Sequence, residues 1–187
     1  MQHFPYIMCV YGKGLARMLG GALMNTQSNT PHSPFEHAVL THQNRIYRTA
    51  LSILGNVAEA EDIVQETFLR LYQYTGNFES VEHEKAWLIR VAVNLCKNKM
   101  RSSWWKNRTE LLDIYPAKTE EEQELINEVM KLDYKYRTVI HLYYYEGYST
   151  SEIARITGQK EGTVRSLMTR ARKQLKLQLT TSTQIFF

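Results

Sequence analysis

The sequence predicts an all-α protein made of two small helical domains joined by a flexible linker. Three observations carry this. Strand-type alternation is not sustained anywhere along the 187 residues, whereas apolar residues recur at helical spacing in one segment after another. Those segments open on polar capping residues and close on glycines. A stretch over 104–119, with Pro116 near its end, separates an early group of helices from a late one. With 43% hydrophobic residues the chain can bury genuine cores, and its length suits one ordinary domain or two small ones.

The elements follow in order. Residues 1–34 are expected to lie outside the fold. Phe4–Tyr11 is apolar but precedes Lys13 and Arg17, the reverse of a signal peptide, and Met24 is a candidate translation start. The first helix is expected from Phe35 to Leu54, with Val39, Gln43, Ile46, Tyr47, Ala50 and Leu54 on its inner stripe and Gly55 as its stop. Asn56 with Glu59 opens a second helix to about Tyr74, whose stripe is Val64, Phe68, Leu71 and Tyr72. A third spans about Glu84 to Ser102, completing a domain over 35–103.

The second domain is expected over 120–180, followed by a tail at 181–187. Thr119 with Glu122 starts a helix to about Leu132, and another covers Tyr134–Glu146 and stops at Gly147. Ser149 with Glu152 caps a short helix that ends at Gly158, and a last helix runs from about Gly162 to Leu179.

Charge is segregated along the chain. Residues 57–84 carry seven acids against Arg70, and 85–108 carry seven bases and no acid. Residues 109–133 return to eight acids, and 160–176 have six bases against Glu161 alone. Solvated helices mix their signs more evenly, so two separate anion-facing surfaces are implied. Cys9 and Cys96 are far apart and lack metal-ligand spacing, which fits reduced thiols in a cytoplasmic protein and neither a zinc site nor a disulfide framework.

The pair of helices over 149–176 has helix-turn-helix spacing. Val164, Met168, Ala171 and Leu175 share one buried face of the last helix, leaving Arg165, Ser166, Thr169, Arg170, Arg172 and Lys173 toward solvent. Arginine near the helix start suits guanine edges in the major groove, and cations farther along suit phosphates. A basic solvated helix end is the plainer alternative.

The third helix carries a second such face. Leu88, Val91, Ala92 and Leu95 form its inner stripe, while Trp87, Arg90, Asn94, Lys97, Asn98 and Arg101 form another. An aromatic ring, amides and cations together suit DNA whose strands are separating. Equally, Trp87 can be plain core and the cations solubilising. Asp62, Gln65 and Glu66 lie on the outer side of the second helix, as a solvated face or a protein interface.

On these residues the chain resembles the extracytoplasmic-function sigma factors, promoter-reading subunits of bacterial RNA polymerase. Ala58–Phe68 resembles the family's polymerase-docking helix, and Ala86–Asn94 the segment that melts and reads the minus-ten element. Tyr143–Ser149, Glu152–Ala154, Glu161–Ser166 and Arg170–Arg172 resemble the domain that reads minus-thirty-five. The resemblance covers about 35–180 and implies a region 2 helical bundle followed by a region 4 helix-turn-helix.

It implies core-polymerase contacts at Asp62, Gln65 and Glu66, and minus-ten contacts at Trp87, Arg90, Asn94, Lys97, Asn98 and Arg101. Minus-thirty-five contacts fall to Thr163, Arg165, Ser166, Thr169, Arg170, Arg172 and Lys173. The loop 74–83 resembles one that captures a flipped base, without residue assignments. The implied partners are core polymerase, through its clamp and flap regions, promoter DNA, and an anti-sigma factor that can be membrane-anchored. No cofactor, metal or small-molecule substrate is implied.

The chain departs from the family at several positions. Lys160 stands for a capping Ser, at a cost of roughly 1 kcal/mol. Gln159 replaces an apolar turn residue, Leu167 a cation and Asp133 a proline.

Two other classes stand as alternatives. A stand-alone helix-turn-helix regulator with an N-terminal dimerisation domain would bind DNA without polymerase. An enzyme is disfavoured because the six histidines are scattered and no nucleophile or phosphate-loop motif occurs.

Overall fold

The computed structural model describes residues 33–101 and 120–184. These form seven helices: α1 (Pro34–Leu54), α2 (Val57–Tyr72), α3 (Val81–Arg101), α4 (Glu120–Lys131), α5 (Tyr134–Tyr144), α6 (Thr150–Thr157) and α7 (Glu161–Gln184). No strand occurs among the described residues. The expectations for the N-terminal extension, the linker and the last residues of the tail lie outside them. They fall into two compact units that divide inside α1, one ending at Thr41 and the other beginning at His42.

In the first unit, Ser33 and Glu36 exchange hydrogen bonds. The Ser33 hydroxyl accepts from the Glu36 amide at 3.2 Å, and the Glu36 carboxylate accepts from the Ser33 amide at 3.0 Å. Pro34 then occupies the first helical turn, where its missing N–H costs nothing. The helix thus begins one residue before the sequence-based start.

The remaining helix ends obey the local chemistry. Gly55 sits at φ 71° just past α1, a left-handed position that L side chains rarely adopt. Asn56 caps α2 by accepting from the Glu59 amide at 2.9 Å. α3 begins about one turn earlier than expected, where the Ser80 hydroxyl accepts from the His83 amide at 3.1 Å. Asp133 caps α5 by accepting from the Lys135 amide at 3.2 Å, which gives this departure from the family pattern its own local role. Ser149 and Glu152 form a full capping box on α6, and Gly158 ends that helix in the left-handed conformation at φ 67°.

The early helices bury Ile46, Ala50, Ile63, Val64, Phe68, Leu88, Ile89, Ala92 and Cys96. Three stripes differ from the sequence reading. In α1 Gln43 and Tyr47 are only half-buried, and His42, Thr49 and Ile53 take inner positions. Tyr72, the last residue of α2, is 68% exposed. In α3 the inner face is rotated toward Ile89, Val93 and Cys96, leaving Val91 and Leu95 half-buried.

Among the late helices, α7 packs on α4, α5 and α6. It buries Val164, Leu167, Met168 and Ala171, with Leu175 half-buried. Leu167 therefore belongs to the core.

Candidate nucleic-acid interface

α6, the turn at Gly158 and α7 form the helix-turn-helix. The Thr150 hydroxyl ties its two helices together by donating to the Glu161 carboxylate at 2.9 Å. That bond, followed by the Arg165 guanidinium, holds the Glu161 carboxyl below the usual carboxylate range. Thr163, Arg165, Ser166, Thr169, Arg170, Arg172 and Lys173 are all exposed. The Ser166 and Thr169 hydroxyls donate to the carbonyls of Gly162 and Arg165 at 2.9 and 3.0 Å, which leaves their oxygens free only as acceptors. Arg172 is held against α5. Its Nε donates to the Tyr144 hydroxyl at 3.1 Å, and its guanidinium lies 5.6 and 5.7 Å from the ring centres of Tyr143 and Tyr144.

On α3, Arg90, Asn94, Asn98 and Arg101 are exposed along one side. Trp87 is half-buried, with part of its surface packed and part open to solvent. Its ring packs against Tyr74 at 4.8 Å and Phe78 at 5.7 Å between centres, and Tyr74 stacks on Phe78 at 4.9 Å. His83 meets the edge of Phe78 at 5.6 Å. A side chain at Gly76 would meet the Tyr74 ring, which would have to shift away to admit it. Sequence reasoning missed this cluster. Its signal was aromatic residues on both sides of a polar turn.

Lys97 does not stand with the exposed cations of α3. Its ammonium donates to the Thr157 carbonyl at the end of α6, at 3.3 Å. On α2, Asp62 and Gln65 are exposed and Glu66 is half-buried. Lys99 approaches the Asp62 carboxylate at 3.3 Å and also pairs with Glu59, while Arg70 donates to Glu66 at 2.9 Å. The acidic face is thus partly neutralised from within. No helix among the described residues is long and apolar enough to cross a membrane.

A helix-turn-helix with a cationic outer face, and a second helix presenting aromatic, amide and cationic groups, define a DNA-reading protein with two contact surfaces. The family models agree with both halves: sigma-70 region 2 matches residues 38–106, and sigma-70 region 4 matches residues 122–175. The chain is 34% identical to the ECF RNA polymerase sigma factor SigW of Bacillus subtilis, over 78% of this chain and 88% of that one. It is 32% identical to SigL of Mycobacterium tuberculosis, over 77% and 85%.

Among solved structures, the sigma factor RpoE in complex with the anti-sigma factor NepR, from Bartonella quintana, superposes with a TM-score of 0.66 at 26% identity, covering 78% of this chain and 96% of that one. CnrH in complex with the cytosolic domain of CnrY shares the fold, with a TM-score of 0.56 at 23% identity over 79% and 88%. The chain belongs to the extracytoplasmic-function group of the sigma-70 family and is a promoter-directing sigma factor. Region 2 occupies the place where a stand-alone regulator would carry its dimerisation domain, so that alternative is not favoured.

Proposed function

We propose that this sigma factor docks on core RNA polymerase through Asp62, Gln65 and Glu66 of α2. In this reading it opens and reads the minus-ten element with Trp87, Arg90, Asn94, Lys97, Asn98 and Arg101. It reads minus-thirty-five with Thr163, Arg165, Ser166, Thr169, Arg170, Arg172 and Lys173. The observation that carries the proposal is the exposed polar and cationic side of α3 beside an aromatic cluster, on a chain whose other end carries a cationic helix-turn-helix. Trp87 supplies a ring for stacking on an unpaired base, Asn94 and Asn98 supply amides for its edge, and the cations hold the backbone. Arg165, one turn into α7, is placed for the two acceptors of guanine.

The working protein acts in the cytoplasm beside polymerase, and its part in initiation is binding and positioning, with no catalytic step of its own. An anti-sigma factor is the natural regulator, since RpoE of Bartonella quintana is found with one. The test mixes the purified chain with core polymerase and a library of promoter fragments. Specific initiation from a defined sequence is expected. No initiation, with sequence-specific binding by the chain alone, would overturn the proposal in favour of a stand-alone regulator.

A further inference from the structure

Between α4, α5 and α7 lies a cavity of about 600 Å³, with Ser52 of α1 also on its wall. Its lining is apolar: Ile126 and Val129 from α4, Ile140 from α5, and Leu175 and Leu179 from α7. All but Ile140 are only half-buried, so the helices hold these side chains against open space and not against one another. Inward-facing positions of amphipathic helices ordinarily close into a packed core. A space of this size falls within the roughly 300–1,000 Å³ of small-molecule sites.

The polar groups on the wall are nearly all spent. The Ser52 hydroxyl donates to the Thr49 carbonyl at 2.9 Å, and the His141 ring shares a hydrogen bond with the Thr49 hydroxyl at 3.2 Å. The terminal nitrogens of Arg137 donate to the carbonyls of Ile53, Met130 and Leu132 at 2.6, 2.7 and 3.0 Å. One buried donor remains, the Arg137 Nε. A peptide laid into this space would bring a donor and an acceptor with every residue, and burying them unmatched is costly. A hydrocarbon chain brings neither.

The chemistry changes at the opening, which the exposed lining residues mark. Leu125 of α4 is exposed there, as are Arg172 and Lys176, one turn apart on α7. Among the described residues neither cation pairs with a carboxylate. Arg172 rests on Tyr144, whose hydroxyl accepts from its Nε at 3.1 Å. An apolar chamber with two unneutralised cations at its mouth complements a molecule that has one apolar chain and one anionic head.

We infer that region 4 carries a binding site for a single-chain amphiphile of the fatty-acid class. Its tail lies among Ile126, Val129, Leu175 and Leu179, and its carboxylate lies at Arg172 and Lys176.

The experiment titrates the full chain with sodium laurate by calorimetry. Dodecyl maltoside, with a twelve-carbon tail and a neutral head, is the comparison, and each stays below its micelle-forming concentration. Circular dichroism reports folding, and light scattering reports oligomeric state. Saturation at one laurate per chain is expected. Lys176→Glu, at an exposed position, should weaken laurate about fivefold and leave dodecyl maltoside unchanged. Val129→Trp fills the chamber and should weaken both about tenfold or more, because the displaced tail loses its burial. Should that variant lose helicity, Leu125→Glu at the exposed mouth replaces it and should weaken laurate.

Absence of saturable binding overturns the site. So does uptake of laurate that a folded Val129→Trp or Leu125→Glu protein leaves undiminished, which marks it as adventitious. Equal laurate affinity in the wild type and Lys176→Glu would overturn the place given to the carboxylate. A dimer that Val129→Trp dissociates and laurate does not would assign the cavity to a second copy of the chain. Binding is read without DNA or polymerase, so failure here leaves the sigma assignment untouched.

Discussion

The Arg165 guanidinium donates to the Glu161 carboxylate at 2.7 Å, one turn back along α7. On the proposed minus-thirty-five role of Arg165, DNA would have to outcompete an exposed ion pair already made in the free protein. Such pairs are worth little, so the exchange is easy.

Arg165→Ala is expected to relax preference at one base pair of the minus-thirty-five element, at a cost of about 1–3 kcal/mol. Lys173→Ala, lacking an assigned base contact, should weaken binding evenly across sequences and flatten its salt dependence. Arg172 is a poorer probe because Tyr144 holds it. A panel of single-base promoter substitutions separates the two, and matching profiles would refute the division of the helix.

Stability should fall on mild acidification. Burial holds the His42 imidazole below its ordinary 6.5; Glu84 pulls the other way, and Arg45 and Lys85 add to the lowering. Between the folded value and 6.5 the unfolded chain binds more protons, so stability rises with pH through that window and is fully present above it. Melting temperatures from about pH 5 to about pH 7.5 should show the slope, and His42→Gln should flatten it.

Cys96 should be inert in the folded protein. It is fully buried on α3, and burial pushes its thiol well above the ordinary range. In a Cys9→Ser protein, iodoacetamide should label Cys96 only as fast as the fold opens. Rapid labelling under native conditions would mean that the inner face of α3 is wrongly placed.

The helix-turn-helix depends on its two punctuation marks. Ser149→Ala removes half of a capping box and should cost about 1 kcal/mol. Gly158→Ala forces a Cβ into a left-handed turn at φ 67°. That should cost about 1 kcal/mol or more, because the native conformation does not suit alanine. Urea unfolding followed by circular dichroism measures both.

Local features were legible in the sequence, and distant ones were not. Ser149 with Glu152, Gly158, and the solvent-facing set on α7 could be read because caps, stops and helical faces are set within a few residues. The start of α3 was missed because Ser80 caps it without an acid three residues on, the cue that marked α2, α4 and α6. The inner face of α1 came out rotated because His42 and Thr49, polar by composition, find partners in Glu84 and His141. Nothing in periodicity pairs Thr49 with a residue more than ninety positions away. The same holds for Lys97, whose attachment to Thr157 no helical wheel could show.

The packing of Tyr74 and Phe78 around Trp87 bears on how quickly a promoter can be opened. A free indole would have to be immobilised at the moment a base leaves the duplex, and that loss of rotamer freedom would slow capture. Here the ring is fixed when the protein folds, before any DNA arrives. On the proposed minus-ten role of Trp87, a transiently unpaired base would meet a surface already in place, and the brief opening of the helix would need only to coincide with its arrival.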